Sequence, residues 1–311
     1  MIAEKVLGAY AAIGTLEPGE QADWYRKAAY EWSINTFEIP FLAGVPLADE
    51  LVQAFEDLPA SLVVTLVAQW ATVGQKNPAY GLSSLDESSR ETAVMDAYAI
   101  LQQCVSLAEK GIRIRNVVVQ AGQRMGESIP HAIALYHSLI DIRSLMASVL
   151  PESTLAVEPS DNLPQDHPIP FPAAKKSSLS IPELIQAVGS VNRESPAGHS
   201  VSFVVNWGRM LINGDEPLSI ISEILHSDVP LAGVIMSGAG ATPDGFLDSH
   251  NSHLDPDSGF TADDASACAE NLEDSPQPIF IGMKCSRATG EDELSVEEVL
   301  SAEASLLNEI S

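Results

Sequence analysis

Glu158 closes a short apolar run in Ala156-Val-Glu-Pro-Ser-Asp161, and Lys284 closes another in Ile281-Gly-Met-Lys-Cys285. A carboxylate at the edge of an apolar core can take a proton from a carbon beside a carbonyl, or ligate a metal. A lysine in that setting can pair with a carboxylate such as Glu158 or Glu38, stabilise an oxyanion, or form a Schiff base once deprotonated. Asn206-Trp-Gly-Arg209 offers an amide for a hydroxyl, an aromatic face for a sugar ring and a guanidinium for an anion or enediolate. Asp248-Ser-His250-Asn-Ser-His253-Leu-Asp255 gathers hard and borderline metal ligands, with His250 favoured among them. Glu158, Asp248 and His250 form the candidate set for a divalent ion (Mn²⁺, Zn²⁺ or Mg²⁺), and a site with no metal fits the pattern equally. Glu158, Lys284 and His250 are the candidate catalytic residues. Glu38, Gln69, Gln120, Asn206, Trp207, Arg209 and Ser237 are the candidate substrate contacts.

These residues gain a common location from the elements that carry them. Eight apolar runs, at residues 6–12, 36–39, 62–70, 116–121, 154–158, 201–207, 231–237 and 279–285, alternate with segments of helical periodicity. Their last inward-capable polar residues are Tyr10, Glu38, Gln69, Gln120, Glu158, Asn206, Ser237 and Lys284. The runs are continuous in Val, Ile and Leu, as parallel strands covered by helices require. The expectation is an α/β fold, a single (β/α)8 TIM barrel over residues 1–311, with its site at the C-terminal ends of the strands. Residues 71–88, 159–180 and 238–260 form long connections after strands three, five and seven, placed to roof the mouth. Arg124 joins the polar ring. Ser237-Gly-Ala-Gly240 stands where many barrels bind phosphate on backbone N–H groups, although the glycines equally suit a tight turn.

Sixteen Lys and Arg against 43 Asp and Glu leave a formal charge of −27, which opposes binding to a phosphate backbone. No apolar run approaches the roughly 18 residues of a membrane span, and the N-terminus lacks a basic flank with a cleavage site. The expectation is a cytoplasmic protein without nucleic-acid or membrane partners. Three cysteines, Cys104, Cys268 and Cys285, lack the C-x-x-C pairing of a zinc ribbon. No G-x-S-x-G, H-E-x-x-H or dinucleotide fingerprint is present, against a serine hydrolase, a zincin and a dinucleotide enzyme.

The eight-unit pattern with Glu158 on strand five is similar to the xylose isomerase-like barrels, a superfamily of sugar isomerases, epimerases and endonucleases. Gly8-Ala-Tyr-Ala11, Phe37-Glu-Ile-Pro40, Asn206-Trp-Gly-Arg209, Met236-Ser-Gly238 and Asp248-Ser-His250 together resemble a bacterial family of such barrels catalogued as a domain of unknown function. In metal-dependent members, the resemblance implies, a divalent ion sits among a Glu on strand five, an Asp or His on the next strands and a Glu on strand eight. Here Asn206 stands where an acid is expected, and Lys284 takes the closing position with the opposite charge. The leading expectation is an enzyme that transfers a proton beside the carbonyl of a sugar or sugar acid. Glu158 would be the base, Lys284 or Arg209 would stabilise the enediolate, and Trp207, Asn206 and Gln120 would orient the substrate. A Schiff-base aldolase or lyase using Lys284 and a non-catalytic carbohydrate-binding barrel are the alternatives. A small carbohydrate is the expected partner, and a homo-oligomer is compatible with it.

Overall fold

Parallel strands form from the eight runs because each is short, rich in Val and Ile, and bounded by turn or cap residues. The computed structural model describes residues 2–122, 128–164, 166–171, 176–194, 199–273, 275, 277–287 and 294–310. In chain order the strands are β1 (Ile2–Leu7), β2 (Thr36–Pro40), β3 (Ser61–Thr65), β4 (Arg113–Val119), β5 (Thr154–Val157), β6 (Ser202–Asn206), β7 (Leu231–Met236), β8 (Gly238–Thr242), β9 (Gly245–Asn251) and β10 (Ile279–Met283). The helices are α1 (Tyr10–Ile13), α2 (Pro18–Trp32), α3 (Asp49–Asp57), α4 (Val67–Gly74), α5 (Glu87–Glu109), α6 (Ser128–Val149), α7 (Ile181–Arg193), α8 (Trp207–Asn213), α9 (Pro217–Leu225), α10 (Ala262–Glu273) and α11 (Val296–Glu309). Eight strands close a barrel in the order β1-β10-β7-β6-β5-β4-β3-β2, every neighbour parallel, while β8 and β9 pair as an antiparallel hairpin outside it. This is the (β/α)8 barrel. Among the described residues no helix is long and apolar enough to cross a membrane.

Two runs divide differently from the reading of the sequence. The first strand begins at Ile2 and ends at Leu7, so Tyr10 lies on α1; the third ends at Thr65, so Gln69 lies on α4. In both places a buried strand passes directly into a buried helical turn, and an unbroken apolar run carries no periodicity that separates them. The connection after β7 also holds regular structure, since most of it is the β8–β9 hairpin. Helix starts follow the local chemistry more closely. Ser180 with Glu183 and Ser295 with Glu298 each form a capping box, in which two backbone N–H groups at the helix start find side-chain acceptors.

Side chains on alternate strand residues divide the core in two. Val6, Val63, Val118, Ala156, Val204, Ile235 and Phe280 pack together as a separate cluster within the ring of strands. The other strand positions join the larger core under the helices, as Leu7, Val64, Val117, Val157, Val205, Met236 and Ile281 do. The Phe280 ring fits only because Gly233 faces it, for a Cβ on Gly233 would lie 2.3 Å from that ring. Arg115 sits 5.3 Å from the centroid of the same ring and pairs with Glu4, so a cation and an aromatic close the N-terminal end of the barrel. Gly233→Ala should therefore overpack the barrel and cost about 1–3 kcal/mol in urea unfolding; an unchanged midpoint would count against this packing.

The layer between barrel and helices holds a second unusual group. Glu303 on α11 is fully buried facing Cys285, and neither carboxyl oxygen has a partner in good hydrogen-bond geometry. Burial pushes this carboxyl up to about 8, which the Cys285 thiol offsets only in part. Burial also raises Cys285 far above the ordinary thiol range, so it is an inert core thiol and not a nucleophile. A raised folded-state value means that stability from Glu303 is complete below the usual glutamate range and is lost as pH rises through about 8. Between about pH 5 and pH 8, where the unfolded chain has given up the proton that folded Glu303 keeps, wild type should lose denaturant stability that Glu303→Gln retains; parallel curves for the two proteins would contradict this assignment.

Candidate functional site

The polar ring at the mouth is the interior pattern carried one step further along each strand. Two residues beyond Val63, Val118, Ala156, Val204 and Ile235 stand Thr65, Gln120, Glu158, Asn206 and Ser237; two beyond Gly282 stands Lys284. Glu38 on β2 completes the set, and all seven are buried. Gly8, the residue after β1, stands in the same register, two beyond Val6. A Cβ there would lie 2.8 Å from Lys284 Cβ and 3.1 Å from Glu38 Oε2, so the missing side chain is what admits this pair.

Glu158 is held from both sides. Gln120 Nε2 donates to Glu158 Oε2 at 2.8 Å and Asn206 Nδ2 donates to Glu158 Oε1 at 3.1 Å. Asn206 also caps α8, its Oδ1 accepting from the Arg209 N–H at 3.4 Å, which fixes which end of the amide meets the carboxylate. Gln120 Nε2 lies 3.3 Å from Thr65 Oγ1. Thr65 went unnoticed in the sequence, although its position two residues after Val63 is the signal that finds it.

Lys284 Nζ lies 3.4 Å from Glu38 Oε1 and 5.9 Å from the centroid of the Tyr10 ring. Burial pulls the Lys284 ammonium down, but Glu38, with Tyr10 and Glu158, outweighs burial and holds it well above the usual lysine range. Burial pushes the Glu38 carboxyl up; Lys284 opposes this and Glu158 adds to it. Burial and then Glu38 raise the Tyr10 phenol too. Two acceptors in the ring, Glu38 Oε2 and Gln120 Oε1, have no hydrogen-bond partner. Each is a place where a donor from a bound molecule relieves a cost of about 1–3 kcal/mol.

A second cluster flanks the ring. Arg209 Nη1 donates to Asp161 at 2.8 and 3.0 Å and to Asp248 Oδ2 at 2.6 Å, while Lys176 pairs with Asp161 and, at 3.2 Å, with Asp248. Burial alone would raise Asp248, but Arg209, Lys176 and His250 hold it far below the carboxylate range. Burial lowers Arg209, yet Asp161, Asp248 and Glu158 outweigh it and raise the guanidinium. His250, carried on β9 with φ +52°, brings Nδ1 to 2.5 Å from Ser237 Oγ and Nε2 to 3.7 Å from Asp248 Oδ1. Burial, then Lys284, lowers its imidazole to about 3, against an opposing Asp248, so it is neutral near pH 7. Asp161 also escaped the sequence reading; as a loop acid among many in an acidic chain it carries no periodic mark.

Glu38, Gln120, Glu158, Asn206, Ser237, His250 and Lys284 thus come together, with Arg209 and Asp248 beside them. Gln69 does not join them: its Nε2 donates to Asp96 at 2.7 Å and its Oε1 accepts from the Ala43 N–H at 3.0 Å, tying α4 to α5 and to the loop after β2. Trp207 is buried in the core beneath the helices, and its Nε1 donates to the Gly259 carbonyl at 3.3 Å, so it offers no open face for a ring. Arg124 lies outside the described residues. The glycines after β7 serve the hairpin: a Cβ on Gly238 would meet Ser258 and Asn251, and the Gly240 N–H donates to Ser249 Oγ at 2.8 Å. His253 packs against Phe260.

The expected metal set has another use in this arrangement. Among the described residues no three His, Cys, Asp or Glu side chains converge as ligands. Glu158 faces two amide N–H groups, Asp248 faces two cations, and His250 is taken by Ser237. These donors do not fit a divalent ion, which needs lone pairs without positive groups among them.

The family model described as "Domain of unknown function (DUF4862)" matches residues 6–298. Comparison with curated proteins gives no match. Among solved structures, AP endonuclease, family 2 from Brucella melitensis is similar at 15% identity and TM-score 0.66, covering 98% of this chain and 99% of that one. IOLI protein with a binding zinc atom is similar at 12% identity and TM-score 0.64, covering 99% and 97%. L-ribulose 3-epimerase is similar at 12% identity and TM-score 0.60, covering 99% and 93%. At these identities the likeness is one of fold.

Among the described residues, Asp161→Asn would leave buried Arg209 and half-buried Lys176 with Asp248 as the carboxylate they still pair with. Removing one partner from such a buried cluster should cost about 3–5 kcal/mol in denaturant unfolding. A loss below 1 kcal/mol would show the cluster to be solvated.

Proposed function

The chain belongs to the family described as domain of unknown function (DUF4862), and from the geometry of its barrel mouth we propose that it is a carbohydrate-active enzyme, isomerase- or epimerase-like, that moves a proton beside a carbonyl. One observation carries the reading: a buried carboxylate, Glu158, is clamped by two amides within electrostatic reach of a buried ammonium, Lys284. Glu158 takes the proton from the carbon next to the carbonyl. Lys284 donates to the carbonyl oxygen as negative charge gathers there. Return of the proton from Glu158 to the adjacent carbon, with the hydroxyl proton passing to the former carbonyl oxygen, isomerises the sugar, whereas delivery to the opposite face of the same carbon epimerises it. Gln120 and Asn206 aim the base, while Glu38 Oε2 and Gln120 Oε1 accept substrate hydroxyls. Ser237 and neutral His250 form a hydrogen-bonded pair at the rim that can meet a further hydroxyl.

Arg209 is already engaged by Asp161 and Asp248, which leaves Lys284 as the better enediolate partner. A Schiff base is less well supported, because it needs a neutral amine and the carboxylates around Lys284 keep it protonated. Between the endonuclease and the sugar enzymes of similar fold, a net charge of −27 favours a small carbohydrate over a nucleic acid.

The test is exchange of substrate C–H for solvent deuterium, followed by NMR over a panel of aldoses, ketopentoses, ketohexoses and sugar acids. Glu158→Gln should keep the thermal shift given by a binding sugar and slow exchange by about 10²–10⁴-fold. Exchange at the wild-type rate in that variant overturns the mechanism, and saturable binding without exchange in wild type assigns a carbohydrate-binding barrel instead.

A further inference from the structure

A divalent ion at a barrel mouth does two things: it neutralises clustered carboxylates and it polarises a substrate oxygen. A buried ammonium can do both from a fixed position. We propose that in this protein Lys284 replaces a divalent ion, so that the mouth is a permanent ammonium–carboxylate centre that takes up neither Zn²⁺ nor Mn²⁺.

Three independent features support this. The first is polarity at Glu158. Asn206 uses its amide oxygen to cap α8, so its N–H side must face Glu158 Oε1, and Gln120 presents N–H to the other oxygen. A carboxylate ringed by hydrogen-bond donors is solvated as an anion, whereas a metal ligand shares its site with other lone pairs.

The second is the accommodation of the lysine. Lys284 is 2% exposed and its stem lies against Gly8, where even a methyl group would come within 2.8 Å of Lys284 Cβ. Its Nζ lies beside Glu38 Oε1, and an ammonium has three N–H donors, so donors remain for an incoming oxygen. The strand end is shaped around this side chain.

The third is the condition of the remaining ligand candidates. Asp248 Oδ2 accepts from Arg209 at 2.6 Å and pairs with Lys176 at 3.2 Å, and His250 Nδ1 is 2.5 Å from Ser237 Oγ. An ion recruiting them would have to break these contacts and then sit near Lys284 and Arg209, both positive. Charge repulsion and lost hydrogen bonds act together against it.

The inference concerns the same site as the proposed reaction, but its test needs no substrate. The whole 311-residue chain is stripped with a chelator and titrated with Zn²⁺ or Mn²⁺ by calorimetry, alongside Glu158→Gln. The expected result is that the two isotherms superimpose, with only weak surface binding. One equivalent bound by wild type and lost in Glu158→Gln overturns the proposal. Lys284→Glu, which reverses the charge and supplies a ligand, should tighten Mn²⁺ binding by about tenfold or more; a folded Lys284→Glu protein with unchanged affinity also overturns it, because the ammonium would then not be what excludes the ion. If Lys284→Glu does not fold, the comparison of wild type with Glu158→Gln still decides. Absence of sugar exchange with no metal bound would remove the proton-transfer reading and leave this one standing, whereas a bound metal removes this one alone.

Discussion

Closure of eight parallel strands into one ring forces every strand to share a single definition of inside and outside, and the mouth depends on that constraint. Once β1 pairs with both β10 and β2, no strand can shift by one residue without turning its side chains through the wall. The same alternation that sends Val118, Ala156 and Val204 inward therefore delivers Gln120, Glu158 and Asn206 to one level at the top. Gathering these polar groups requires no special local device here; it follows from a packed interior that ends in polar residues. The floor obeys the complementary rule, with Gly233 and Phe280 exchanging volume so that the interior fills.

Compensation of charge is the second organising fact. The mouth joins charged groups from separate parts of the chain, Glu38 on β2 with Lys284 after β10 and Arg209 on α8 with Asp161 after β5 and Asp248 on β9, while Glu158 is met by two amides. Buried ions left alone cost several kcal/mol each, so neither member of these pairs can leave without stranding the other, which ties distant segments to one another. They also preset the electric field at the mouth. In the proposed reaction, the negative charge that gathers beside Lys284 would meet dipoles and charges already in position, without reorganisation of solvent.

How much of this was legible in the sequence can be judged residue by residue. The barrel was, because the spacing of its runs and the Ser180 and Ser295 capping boxes are local signals. Glu38, Gln120, Glu158, Asn206, Ser237 and Lys284 were legible as strand-end polar residues, since each follows an apolar stretch of strand length. Gln69 was misplaced and Thr65 overlooked for one reason: the apolar run continues from β3 into α4, hiding the point where period two gives way to period 3.6. Trp207 was read as a sugar platform from its neighbours, whereas the helix that begins at Trp207 turns its ring into the core. The ion cluster of Lys176, Asp161, Arg209 and Asp248 was not readable at all. Its members come from separate elements and meet only after folding, in a chain where acidic residues are too common to stand out.

The β8–β9 hairpin carries Asp248 and His250 in the stretch of β9 where its register against β8 shifts; the left-handed backbone at His250 brings its Nε2 to 3.7 Å from Asp248 Oδ1, while Ser249 Oγ accepts from the Gly240 N–H. Ser286, two residues past Lys284, donates through its N–H to the His250 carbonyl and through its hydroxyl to the Ser249 carbonyl. The ribbon is thereby stitched at its edge to the segment that bears the ammonium. A single-residue insertion or deletion in this stretch would displace the irregular turn at His250 and draw carboxylate and imidazole away from their partners together, in the manner of a two-pin plug withdrawn from its socket. For that reason the length of this ribbon, and not only its composition, belongs to the chemistry of the mouth.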